Sequence, residues 1–150
     1  AITLGLATIM LASVAGVYFI KPELAEAVTK TYTSTLSLLL LCAFTGKLLW
    51  EASIFRHLKD PTYSMSKRSA MLMLNHLIKV TRMRYIFGFI GGVCLPGLIY
   101  YISTQPVTED SFFSLLILSA ISFVLSLLGE FCERYLFFSA VVSKKMPGGA

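Results

Sequence analysis

Apolar residues run almost without interruption from Ala1 to Ile20, stop at Lys21-Pro22-Glu23, and return in three more long stretches separated by polar segments. Runs of about 20 apolar residues match the ~30 Å hydrocarbon thickness of a bilayer. The pattern predicts spans over about 1–20, 33–55, 85–103 and 111–142. The third is bounded by Arg82-Met83-Arg84 before it and by the turn signal Thr104-Gln105-Pro106 after it. The fourth holds 32 residues with no proline and only Gly129 as a mild breaker, more than a perpendicular span requires, so it tilts or emerges beyond the bilayer. The expected fold class is an all-α integral membrane bundle of about four helices, a single transmembrane domain over 1–150.

Composition agrees with this class. Hydrophobic residues make up 56%, charged residues 14%, and the mean hydropathy is +0.75, outside the range of an ordinary soluble domain. The first apolar run has neither the charged leader nor the small-residue cleavage site of a signal peptide. It is read as a span, with further helices expected before Ala1.

Charge sets the expected orientation. The connection 56–84 carries Arg56, Lys59, Lys67, Arg68, Lys79, Arg82 and Arg84 against a single acid, Asp60, whereas 104–110 has no Lys or Arg. The positive-inside rule places the basic connection, and both visible ends, in the cytoplasm. Within it Ser69–Val80 is apolar, too short to span and bracketed by basic residues, as in an interfacial amphipathic helix. The seven basic residues are candidates for docking to anionic lipid or to a soluble partner. Nucleic acid is not expected, since Lys and Arg at membrane boundaries need no such partner.

The residues that change the picture most are ionisable groups inside the apolar stretches: Lys47, Glu51, Glu130, Glu133 and Arg134. Charges in such places are costly and point to function or to pairing. Lys47 and Glu51 are four apart on one segment, and Glu130 and Arg134 four apart on another, so each segment is expected to carry its own ion pair on an inward face. With His57, these six are candidates for a quinone site or a proton pathway. A carboxylate or imidazole near the interface can hydrogen-bond a quinone carbonyl and exchange its proton with water. The other reading of Lys47 and Glu51 is that they pair with charges on the fourth span and fix helix packing.

Metal chemistry by this chain is not expected. Cys42, Cys94 and Cys132 are scattered singly, with no C-x-x-C spacing, so they build neither an iron–sulfur cluster nor a zinc site. His57 and His76, the only histidines, fall at a span end and in the interfacial segment, a poor arrangement for a bis-histidine haem. In the third span Gly88 and Gly92 form a G-x-x-x-G beside Gly91, and Pro96-Gly97 follows, predicting a small packing face and a kink.

Taken in order, KLLWEASIFRHLKD (47–60), GFIGGVCLPG (88–97) and GEFCERYLFFSAVVSKKMPGG (129–149) resemble the dimethyl sulfoxide reductase membrane-anchor family, and distantly polysulfide reductase-type membrane subunits. Leu95-Pro96 and the run Glu133-Arg134-Tyr135-Leu136-Phe137-Phe138 are the most distinctive pieces. The similarity is to the C-terminal half of a subunit of about eight helices. It implies a cofactor-free anchor in a prokaryotic cytoplasmic membrane, holding a molybdenum or tungsten pterin catalytic subunit and a four-cluster iron–sulfur subunit. Such an anchor passes electrons between menaquinone or ubiquinone and the nearest cluster, as in anaerobic respiration. The alternative from a different class is a small transporter or proton-conducting subunit whose intramembrane charges line a path.

Overall fold

A computed structural model describes residues 2–20, 28–53, 77–105 and 109–140. Every regular element among them is helical. Helix α1 is Ile2–Ile20, and α2 is Ser34–Ala52, entered through a widened turn over Val28–Thr33. Helices α3 (Ile78–Phe89) and α4 (Leu95–Ser103) are joined by a π-helical segment, Ile90–Cys94, into one continuous rod, and α5 is Glu109–Ala140.

Four stretches are long and apolar enough to cross a membrane: Ile2–Phe19, Lys30–Ala52, Ile78–Ser103 and Ser111–Ser139. Side-chain placement agrees with an apolar surround. Large hydrophobics such as Trp50, Phe19 and Phe138 point outward, while Thr3, Ser37, Ser103, Ser119, Ser122 and Ser126 are buried. A water-soluble protein sorts these residue types the other way.

The helices pack in a ring. The α3–α4 rod and α1 each lie against both α2 and α5. Thr3, Ala7, Met10 and Val14 recur every three or four residues and put one face of α1 inside; Ser37, Leu40, Phe44 and Leu48 do the same for α2. Ala7, Met10, Val14, Leu40, Phe44, Ile99, Phe112 and Leu115 form the apolar centre. At one end α1 is pinned to α5 by Tyr18 stacked on Phe112, ring centroids 6.0 Å apart.

The third membrane-length helix begins at Ile78 rather than near Tyr85. Its first turns carry Lys79, Arg82 and Arg84, which as a basic run suggested a boundary. The helix continues through them because Lys79 and Arg82 are exposed and Arg84 finds carboxylates inside. Ile78–Val80 therefore belongs to this helix with Leu77 as its cap, while 69–76 of the expected interfacial segment lies outside the described residues.

Proline in the middle of this rod produces a widened turn. Leu95 N–H donates to Ile90 O, five residues back, and Pro96 has no N–H to give to Gly91 O in the same register. The hydroxyl of Ser122 on α5 donates to Gly91 O instead, at 2.6 Å and fully buried. A neighbouring helix thus supplies the donor that proline lacks, as an apolar environment demands.

The glycines make these approaches possible. A Cβ on Gly91 would stand 2.6 Å from Leu125 Cβ and 3.1 Å from Ser126 N; on Gly92 it would stand 2.2 Å from Phe44 Cγ. Both helix–helix distances require hydrogen at those positions. Gly91 therefore sets the approach of the rod to α5, and Gly92 its approach to α2.

Candidate functional site

At the end of the bundle opposite Tyr18, five charged side chains from three helices meet, joined by Thr3 from the fourth. Lys47 Nζ lies 2.5 Å from Glu130 Oε1 and 2.6 Å from Glu133 Oε2. Arg84 Nη2 lies 2.7 Å from Glu51 Oε1 and 3.2 Å from Glu133 Oε2. Thr3 Oγ1 donates to Glu130 Oε1 at 2.8 Å. Glu133 is thus shared by both cations, and Glu130 holds α1 and α2 to α5.

The ion pairs run between helices, whereas the spacing of charges predicted one pair within each segment. Burial of Arg84 gives the reason. Its side chain is 1% exposed, and an unpaired guanidinium at that depth would cost several kcal/mol. Glu51 and Glu133 are drawn to it from two different helices, and Lys47 turns to α5.

Exposure is graded through the cluster. Glu133 is the most open, at 36%, and Arg84 the most enclosed. The sequence groups Arg84 with the residues expected to dock lipid or a partner; its burial removes it from that set. Lys79 and Arg82 are exposed, while Arg56, Lys59, Lys67, Arg68 and His57 lie outside the described residues. Arg134 is exposed and stands apart from the interior pairs formed by Glu130 and Glu133.

Glycine again creates the room. A Cβ on Gly88 would lie 2.6 Å from Arg84 Nη1, and one on Gly129 would lie 3.3 Å from it, so the guanidinium occupies a slot between α3 and α5. Arg84 Nε and Nη1 and Ser126 Oγ are buried without a hydrogen-bonding partner in the protein. Each such group costs roughly 1–3 kcal/mol, more when charged.

Most of these residues carry a readable signal in the sequence. Arg84, Gly88 and Gly92 are spaced by four, which places the arginine on the small packing face and not on the lipid side. Ser119, Ser122, Ser126, Glu130 and Glu133 recur every three or four residues and mark a polar stripe on α5. Thr3 had no such signal, since its partner is 127 residues away.

Chemically, three carboxylates face two cations. With every group ionised the cluster carries one uncompensated negative charge, and with one carboxyl protonated it is neutral. Cys42 and Cys94 are exposed, and among the described residues no three His, Cys, Asp or Glu side chains are grouped as a metal site. No protein-family model, curated protein or solved structure matches this chain.

Proposed function

We propose that this chain is a membrane-anchor subunit of a molybdenum or tungsten iron–sulfur oxidoreductase complex in a prokaryotic cytoplasmic membrane. In this role it exchanges electrons between membrane quinone and a partner iron–sulfur subunit. The observation that carries the reading is the cluster of Lys47, Glu51, Arg84, Glu130 and Glu133, gathered at one end of an apolar bundle with a carboxylate in excess. Quinol oxidation releases two electrons and two protons, and quinone reduction takes them up. A polar cluster open at Glu133 suits the proton half of that exchange, while the electrons pass directly between quinone and a cluster in the partner. The resemblance across 47–149 supports the partner assignment.

In the assembled complex, Glu133→Gln is expected to slow quinone-coupled turnover by on the order of 10²-fold while leaving turnover with a soluble dye intact. Glu51→Gln should act in the same direction. Equal loss of both activities would assign the residue to structure alone. Subunits co-purifying in mild detergent should include an iron-rich protein and molybdenum or tungsten. A metal-free chain by itself would sink this reading.

That outcome would favour a proton-conducting or transport subunit. The specific observation behind this second reading is the interrupted rod, whose π-helical segment packs through Gly91 on the same polar stripe of α5 that carries the cluster.

A further inference from the structure

Among the described residues, every tyrosine and the single tryptophan stand near one end of the bundle or the other. Trp50, Tyr85 and Tyr135 accompany the charge cluster. Each is one or two residues from Glu51, Arg84 or Glu133, hence within about 3 Å of it along the helix axis. Tyr18, Tyr32, Tyr100 and Tyr101 mark the opposite end, where Tyr18 stacks on Phe112 and α4 packs against the turn Val28–Thr33 that holds Tyr32. Tyr85 is half-exposed and all the others face outward.

Between these two levels the outer surface is apolar. Leu38, Leu39, Phe89, Ile121 and Val124 are exposed there, and none of the exposed side chains described in that zone is charged. The exposed cations, Lys30, Lys79, Arg82 and Arg134, fall at the ends. Along α2 and its widened first turn, Tyr32 and Trp50 stand about 27 Å apart at the helical rise per residue. That separation is close to the ~30 Å hydrocarbon thickness of a bilayer. Indole and phenol rings suit its two boundaries, because each offers an apolar body to lipid chains and an N–H or O–H to water.

We propose that these rings are two belts that bind phospholipid headgroups, and that the charge cluster lies at the level of one belt, among headgroups and interfacial water, not in the hydrocarbon. The arrangement specifies lipid over a protein partner. At the cluster end the rings come from α2, α3 and α5, and at the other end from α1, the turn before α2, and α4. A partner subunit covers one side of a bundle, whereas rings on several sides at one level meet a surface that surrounds it. Glu133, the most open of the paired groups, then exchanges its proton with interfacial water directly, and no path through hydrocarbon is needed to reach it. This goes beyond the redox reading and holds whatever partner the chain has.

Trp50 is the only tryptophan of the chain and reports its own depth. The test reconstitutes the full chain in phosphatidylcholine vesicles that contain lipid carrying a nitroxide either on the headgroup or at the middle of an acyl chain. Trp50 is expected to lose more fluorescence to the headgroup nitroxide than to the mid-chain one. Stronger quenching from mid-chain, or none from either position, would overturn the proposal. In a Trp50→Phe background, Tyr32→Trp should show the same shallow pattern from the opposite belt, and Leu39→Trp, between the belts, the deep one. A Leu39→Trp probe as shallow as the other two would contradict an apolar zone between the belts. The measurement on Trp50 needs no substitution, so it decides the matter even if the variants fail to fold.

Discussion

Arg84 concentrates the energetics of the molecule in one side chain. A guanidinium at this depth is tolerated because Glu51 and Glu133 reach its Nη2 from two other helices. Its removal harms those carboxylates more than it harms Arg84's own neighbours. Arg84→Met should leave Glu51 without its cation and Glu133 with Lys47 alone, costing about 3–5 kcal/mol. Unfolding of the purified protein in mild detergent checks this, and a loss under about 1 kcal/mol would mean that the pairs do not carry the buried charge. At this scale the sequence was half legible. Lys47, Glu51, Glu130 and Glu133 stand out because they interrupt apolar runs, whereas Arg84 sits in a boundary run of basic residues, set apart only by its four-residue spacing to Gly88 and Gly92, and Thr3 hides among ordinary polar residues.

Among the elements, the α3–α4 rod shows how a proline is kept inside a membrane-length helix. The π-helical segment gives the ring room, and Ser122 takes over the hydrogen bond to Gly91 O. Ser122→Ala should therefore cost about 0.6–1.7 kcal/mol when Pro96 is present. In a Pro96→Ala background the new backbone N–H can serve the carbonyl, and the serine should lose most of its value. A double-mutant cycle on unfolding free energy measures the coupling; additive effects would show that Ser122 does not compensate for the proline. The presence of an irregularity was readable from Pro96-Gly97 beside three glycines. Its form was not, because the compensating donor lies 31 residues away on another helix.

For the whole molecule, the up-and-down ring puts Lys79 and Arg82 at the cluster end and Gln105 at the other, all three exposed. In the membrane this predicts opposite sidedness. After replacement of Cys42, Cys94 and Cys132, a membrane-impermeant thiol reagent should reach Lys79→Cys or Arg82→Cys from the cytoplasmic side only, and Gln105→Cys from the opposite side only. Labelling of both positions from one side would contradict a crossing by Ile78–Ser103.

The amino-acid sequence by itself determined the helical class, the stretches long enough to cross a bilayer and the presence of charges that need company, because each depends on local hydropathy and spacing. Which charges keep company was decided only by tertiary structure. Lys47 is as close in sequence to Glu51 as a helical pair requires, yet it bonds to Glu130 and Glu133. Pairing depends on which helix faces are brought together, and those are set by Gly88, Gly91, Gly92 and Gly129, where the absence of a side chain lets backbones and one guanidinium approach.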